Sequence, residues 1–410
     1  MTLTRADFEQ MDADDALAFA RQRFSIPEGL IYLDGNSLGV LPAATPARMR
    51  EMVEREWGED LISSWNKHGW MDMPLDLGAK VAPLIGAAPE EVLVADTVSI
   101  NIYKLAAAAL KMRPGRKVIV TETGNFPTDL YMLQGLAEFH DGVEVRAVAR
   151  ENIPQALDDD VALLLLTHAH YKTGALFDMQ AMTKAAHDAG SLTLWDLSHS
   201  TGAVELDLQA ARCDLAVGCG YKYLNGGPGA PGFLFIAKRH LDDFRTPLSG
   251  WLGHAKPFEF MDDYAPASGV RRAMCSSPSI LALTALEEGL KTFDGVDMAD
   301  IRAKSRRLGD LFIQLAEERC GGEFELGCAR DSEWRGSQVS LRHKDGYAIM
   351  QALIARGVIG DFRDPDILRF GFTPLYTRFV DVYDAAAHLA EVMETGEWRE
   401  PRFAERAAVT

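Results

Sequence analysis

Long apolar runs are missing from this chain of 410 residues. The longest, LAAAAL at 105–110 and VALLLL at 161–166, fall far short of the ~20 residues a bilayer-spanning helix needs. The opening MTLTRADFEQMDADDALAFA is acidic where a secretory leader would be basic and then apolar. Cysteine is scarce too: five residues, at 213, 219, 275, 320 and 328, with no C-x-x-C pair and an odd one left over. That argues against a disulfide framework and against a zinc knuckle. Basic residues are outnumbered, 42 against 60 acidic, for a formal charge of −18. Such a field repels phosphate backbones and anionic lipid, so neither nucleic acid nor a membrane is an expected partner. A soluble, cytoplasmic protein is the expectation.

What the chain does have is material for a large core, 47% hydrophobic residues with 25% charged, and its length suggests about two domains. From about residue 75 onward, short β-rich runs alternate with helical patterns. EVLVAD (91–96) precedes a helix starting near Ser99, and RKVIVTE (116–122) precedes one starting near FPTDL. VALLLLTH (161–168) and SLTLWD (191–196) flank an amphipathic helix that Gly190 ends, and DLAVGCG (214–220) and GFLFIAK (232–238) follow. Continuous apolar strands separated by helices predict an α/β fold, a mostly parallel central sheet with helices on both faces. After about residue 296 a long charged helix, the strand GSQVSLRH, the helix GYAIMQALIARG, the strand ILRFGF and a final helix predict a smaller α+β domain. The expected division is 51–295 for the large domain and 296–410 for the small one, with 1–50 joining the latter.

In open α/β sheets ligands gather beyond the carboxyl ends of the strands, so the residues after each strand carry the information. TVSIN after the first run offers Thr97 and Ser99 at a helix start, where free backbone N–H groups receive a phosphate. FPTD offers the ring of Phe126 and the carboxylate of Asp129. SLTLW runs into Asp196, with His199 close behind, and DLAVGCG runs into Tyr221 and Lys222. A carboxylate and an ammonium at the ends of apolar strands are costly unless they meet a partner. Pyridoxal 5'-phosphate needs all of these together: an amine for its aldehyde, a carboxylate for its pyridine nitrogen, N–H and hydroxyl donors for its phosphate and a ring to stack on. Two other motifs are weaker. GGPGAPG contains G-x-G-x-x-G but leads into a strand, which is the wrong context for a dinucleotide. THAH places His168 and His170 like a metal-ligand pair, yet no second ligand group accompanies them, so no metal is expected.

The segments YLDGNSLGVLP, NFPTDLY, THAHYKTG, WDLSHSTGAVELDL, GCGYKYLNGGPGAPGFLF, LSGWLGH and RFGFTPLYT, in that order, resemble the kynureninases over nearly the whole chain. The resemblance implies a fold-type-I pyridoxal phosphate enzyme of the class V aminotransferase-like superfamily, hydrolysing the Cβ–Cγ bond of L-kynurenine to anthranilate and L-alanine in tryptophan degradation. It also implies a homodimer with active sites at the subunit interface. By position, Lys222 would hold the cofactor, Asp196 would face the pyridine nitrogen, and Phe126 would stack on the ring with Asp129 at the same edge. Val98, Ser99, Pro127, Thr128, Thr167, His199 and Tyr221 would complete the pocket, and Trp251 and Ser277 would reach the phosphate from the partner subunit. Arg369 would clamp the substrate α-carboxylate, a task suited to a planar bidentate guanidinium. Asn36 and Ser37 would line the aromatic end of the substrate pocket, with Trp65 nearby. Lys222 and Tyr221 would move the protons. Animal enzymes that favour 3-hydroxykynurenine carry an asparagine where this chain has Ser277, so unhydroxylated kynurenine is the expected substrate. The alternatives are a class V aminotransferase, a cysteine desulfurase, although 357–372 holds no thiol, and a metal-dependent hydrolase built on His168 and His170.

Overall fold

The computed structural model describes residues 3–406. Its larger sheet has seven strands: Val92–Val94 (β1), Val118–Glu122 (β2), Glu144–Val148 (β3), Val161–Thr167 (β4), Leu192–Asp196 (β5), Leu215–Cys219 (β6) and Gly232–Ile236 (β7). Their order across the sheet is β1-β7-β6-β5-β4-β2-β3. β7 runs antiparallel to both its neighbours and every other pairing is parallel. The predicted α/β class is therefore right. The apolar runs become strands because both faces are covered: Leu164, Leu166, Trp195, Ala216 and Phe235 enter one core, while Leu163, Leu165, Leu194, Leu215 and Leu234 enter the core on the opposite face. That is the period of two expected of a pleated strand. β3 escapes sequence reading because it is an edge, where Glu144 and Arg146 leave no apolar run to recognise.

A second, antiparallel sheet of four strands is built from Glu325–Leu326 (β8), Gln338–Arg342 (β9), Asp361–Arg363 (β10) and Ile367–Gly371 (β11), in the order β10-β11-β9-β8. It packs with the helices Met298–Cys320, Gly346–Ala355 and Phe379–Thr395 around Phe312, Phe370 and Phe372. The N-terminal stretch straddles the two cores. Phe8, in the helix Arg5–Ala13, and Leu33 enter the smaller core, and Ile31–Tyr32 pairs in parallel with Val358–Ile359. Leu17, Ala20 and Phe24, between them, enter the larger one. The helix Met298–Cys320 straddles as well, with Ile301 in the larger core and Leu308 onward in the smaller. Apolar side chains at both ends of one helix must each be covered by whatever lies beside them, so this helix contributes to both cores.

One buried carboxylate ties together the strands that carry the site. Asp214, 1% exposed, precedes β6. It accepts from the Thr193 N–H of β5 at 2.9 Å, from Arg239 at 2.7 Å, and meets His187 and His240 at 2.8 Å each. Burial alone would raise its pKa, but these donors overcome the penalty and hold it far below the ordinary carboxylate range. A depressed folded-state pKa contributes stability that is present above the unfolded value, about 3.9, and is lost as pH falls toward the folded one. Asp214→Asn is therefore expected to cost about 3 kcal/mol near neutral pH. Urea unfolding at stepped pH should show that gap constant above about pH 5 and narrowing below about pH 4. A gap that persists unchanged into strong acid would assign the effect to packing instead.

Candidate active site

The carboxyl ends of β4, β5 and β6 and the start of the helices Val98–Met112 and Pro127–Glu138 surround a cavity of about 450 Å³. Of the residues expected to form a cofactor pocket, Val98, Ser99, Phe126, Thr128, Asp129, Thr167, Asp196, His199, Tyr221 and Lys222 line it. They come from separate strand ends and meet because parallel strands all point their carboxyl ends the same way. Pro127 occupies the first turn of its helix, where its missing N–H costs nothing, and does not line the cavity.

Lys222 is 9% exposed, and its Nζ lies 3.0 Å from His199 Nε2. The rings of Tyr221 and Phe126 have their centroids 5.6 and 5.8 Å from the same nitrogen. Burial, and then the charge of Lys222, push His199 well below the ordinary imidazole pKa, so its ring is neutral. An ammonium donating to Nε2 leaves the ring proton on Nδ1, and this buried atom has no protein partner. The segment before Lys222 is held by a close backbone approach. Gly39 donates to the Tyr221 carbonyl at 2.8 Å, and a Cβ on Gly39 would sit 2.4 Å from the Lys222 carbonyl oxygen. The motif LDGNSLG needs its last glycine for that reason.

Two carboxylates share this site. Asp196 ends β5, accepts from the Ser198 N–H at 2.7 Å, and is raised by burial, with Ser198 and Lys222 opposing the rise. Asp129 is fully buried, and its pKa is pushed well above the ordinary range, by burial first and by repulsion from Asp196 second. Of such a pair one is ionised and the other holds a proton, and Asp129 is the protonated member. The hydrogen bonds agree. The Thr167 hydroxyl has one proton and two acceptors, Asn125 Oδ1 at 2.5 Å and Asp129 Oδ2 at 3.0 Å. A protonated Asp129 removes the conflict by donating to Thr167. Asp129 Oδ1, like His199 Nδ1, is buried without a protein partner. Two unpaired buried polar atoms, an amine, an ionised carboxylate, an aromatic face and free helical N–H groups fit a ligand with the chemistry of pyridoxal phosphate.

Arg369 lies in β11, 1% exposed, opposite Asp361 of β10 in the strand register. Its Nε donates to Asp361 Oδ1 at 2.8 Å and its Nη2 to Asp361 Oδ2. Nη2 also donates to Ser37 Oγ at 2.7 Å, and Nη1 to the Tyr171 carbonyl at 2.6 Å. Four of the five guanidinium N–H groups are thus engaged. Arg363 pairs with Asp361 as well, at 2.8 Å. Burial alone would raise Asp361, but Arg369 and Arg363 hold it below the ordinary value, while burial and then Asp361 raise Asp34 to about 7. The cluster therefore carries two guanidinium charges against one firm carboxylate, the electrostatic form of an anion receptor.

Asn36 is fully buried against this cluster, with its amide within 3.0 Å of Arg369 Nε. The structure thus brings Asn36 and Ser37 to the arginine and not to the cavity wall. Trp65 stands apart, packed edge-on against Trp70 at 5.8 Å and against the larger core. Ser277 lines a neighbouring cavity of about 260 Å³ that shares Thr97 and Gly229 with the first. Trp251 is half-exposed and packs with Phe258 and Phe260. His168 bonds Ser200 at 2.8 Å and His170 the Gly124 carbonyl at 3.1 Å, so the pair is spent on structural contacts. Three participants escaped sequence reading: Asn125, Tyr171, whose ring meets that of Phe126 edge-on at 5.2 Å, and Asp361. The carbonyl of Tyr171 is its link to Arg369, and no side-chain pattern encodes a carbonyl.

Comparison with known proteins agrees with this geometry. Residues 301–389 match the family described as the kynureninase C-terminal domain. A curated kynureninase of Burkholderia pseudomallei is 51% identical over 99% of this chain and 100% of its own length. One of Pseudomonas fluorescens is 50% identical over the same shares. Among solved structures, a cysteine desulfurase from Thermococcus onnurineus superposes with a TM-score of 0.75 at 18% identity, covering 92% of this chain and 98% of that one. A C-DES variant with glycine covalently linked to its PLP cofactor gives 0.76 at 15%, covering 95% and 100%. At such identities these two establish the fold alone, that of the fold-type-I enzymes. Half of all positions shared along the full length, around a site built for an amine, two carboxylates and an anion-binding arginine, places this chain in the kynureninase family.

Proposed function

We propose that this chain hydrolyses L-kynurenine to anthranilate and L-alanine with pyridoxal 5'-phosphate as cofactor. The observation that carries the proposal is Lys222, a nearly buried amine, sharing one cavity with two buried carboxylates, Asp129 and Asp196, in a chain half identical to kynureninases. Bound cofactor supplies an electron sink for the bond-breaking at the amino acid. Lys222 Nζ would hold the cofactor through its aldehyde and, once free, would move a proton at the substrate α-carbon. Asp196 would face the pyridine nitrogen and favour its protonated form, and Asp129, carrying its own proton, would add no second negative charge there. Val98, Ser99 and Thr128, at two helix starts, would hold the phosphate, with His199 offering its Nδ1–H and Phe126 an aromatic face. Burial and then the charges of its neighbours raise the Tyr221 phenol, which keeps it a proton donor across the working range.

Arg369, held side-on by Asp361, receives the substrate α-carboxylate, and Ser37 occupies one of its donors until substrate arrives. Ser277 in place of an amide favours the unhydroxylated ring. The division into a large domain at 51–295 and a small one at 296–410, with 1–50 joining the small one, belongs to the same reading. So does a homodimer: Trp251, Phe258 and Phe260 form an exposed aromatic cluster on the segment expected to reach a second copy. No helix among the described residues is long and apolar enough to cross a membrane, and the cytoplasm is the proposed location.

Lys222→Ala should lower turnover of kynurenine by about a thousandfold or more and remove the visible absorbance of the holoenzyme. Anthranilate fluorescence at an unchanged rate would refute the assignment. The two carboxylates should part company on amide substitution. Asp196→Asn removes the ionised partner and should lower kcat by on the order of a thousandfold. Asp129→Asn replaces a group that is already neutral and should stay within about tenfold of the parent. Steady-state kinetics on both variants checks the assignment, and equal losses would overturn the protonation states argued for the pair.

A further inference from the structure

Lys104 plays no part in the chemistry above, yet its side chain has no exposed surface at all. It sits in the helix Val98–Met112, whose start lines the cofactor cavity. A lysine buried to this degree is expensive unless every proton on it finds an acceptor. Lys104 Nζ donates to the Asp96 carboxylate and, at 2.7 Å, to the Ala273 carbonyl.

Both partners are placed where position matters. Asp96 directly precedes the helix cap Thr97, and its φ of +51° puts it in the left-handed region that non-glycine residues seldom occupy. A carboxylate fixed by a buried ammonium stabilises that conformation. It thereby sets the direction in which Thr97, Val98 and Ser99 present their backbone N–H groups. The backbone of Asp96 is held from the other side, its carbonyl accepting from Gly232 N–H at 2.8 Å. Ala273, the second partner, begins the run Ala273–Met274–Cys275 that leads to Ser276 and Ser277. That run is in turn locked to Gly250, where an added Cβ would lie 1.5 Å from the Cys275 carbonyl oxygen. Trp251 follows at once. One ammonium therefore joins the turn that opens onto the larger cavity to the segment that carries Trp251 and Ser277. The smaller cavity of about 260 Å³, lined by Asp96, Thr97, Ser276 and Ser277, lies along the seam.

We propose that Lys104 is a positioning residue for the phosphate end of the cofactor site, holding the Asp96–Ser99 turn and the Ala273–Ser277 segment in register with each other. The proposal rests on the cofactor reading given above and goes beyond it in assigning the phosphate-binding geometry to a residue that touches no ligand. Its consequence is selective: loss of Lys104 weakens the grip on phosphate and leaves the aldehyde and ring contacts at Lys222, Asp196 and Phe126 as they were.

The test compares pyridoxal phosphate with pyridoxal, which lacks only the phosphate. Holoenzyme of the parent and of Lys104→Met is stripped of cofactor and titrated with each ligand by absorbance, and the melting temperature of each apoprotein is measured alongside. The expected result is a Kd for pyridoxal phosphate raised by about tenfold or more with pyridoxal bound as by the parent. Inorganic phosphate, which should raise the melting temperature of the parent apoprotein, should lose that effect. Equal weakening of both ligands, or no weakening of either, would overturn the proposal. Should Lys104→Met fail to fold, Asp96→Asn, at a partly exposed position that keeps the Ala273 bond, is titrated with the same expectation. Failure of the parent apoprotein to bind pyridoxal phosphate would instead defeat the cofactor reading on which the proposal stands.

Discussion

An ammonium group enclosed by protein must be answered by negative charge, and much of this molecule is arranged around that requirement at Lys222. The nitrogen is nearly buried where the strand ends meet, on the wall of the cavity. Asp196, the carboxylate that ends an otherwise apolar strand, lines the same cavity, and the charge of Lys222 draws it toward its ionised form. Asp129, arriving from a helix start, keeps its proton because it is fully buried and repelled by Asp196, against the opposing pull of Lys222. His199 is kept neutral by burial first and by the same ammonium second. Burial, the charge of Lys222 and the mutual repulsion of the two carboxylates together set the protonation of these neighbours, and the reactivity of the site follows from it.

The sheet makes this possible. In the order β1-β7-β6-β5-β4-β2-β3, the strands carrying Thr167, Asp196 and the Tyr221–Lys222 pair are adjacent. Their carboxyl ends therefore sit side by side although their residues are far apart in the chain. Asp214, joining β5 to the start of β6 through Thr193, holds this part of the sheet at its opposite end. A buried charge network with every acceptor satisfied is rigid, and rigidity is what an amine and a carboxylate need if they are to meet a planar ligand at fixed places.

A second cluster, in the smaller sheet, holds Arg369, the arginine proposed to receive the substrate carboxylate, by the same principle with the charges reversed. Arg369 is buried, Asp361 answers it across the strand pair, and Arg363 leaves the cluster with positive charge to spare. The two clusters communicate through Tyr171, whose ring belongs to the cofactor cavity and whose carbonyl holds Arg369. The N-terminal segment touches both: Gly39 lies on the Lys222 backbone, and Ser37 lies on Arg369. That double contact accounts for the tight, glycine-spaced LDGNSLG.

Sequence alone determined the α/β class, the strand ends that matter and most of the cavity, because a fully buried strand must be written as an apolar run and a charge that ends such a run has few innocent explanations. The meeting of Lys222 and Asp196 at one cavity was legible on those grounds. Tertiary structure alone decided which carboxylate keeps its proton, since that depends on distances between strands. It also decided the place of Asn36 and Ser37 beside Arg369, the edge strand β3, and the straddling of the N-terminal stretch across two cores. Asp361 and Lys104 stayed hidden for the same reason. Each is an ordinary charged residue in the chain, and only burial against a partner supplied by another segment gives it a task.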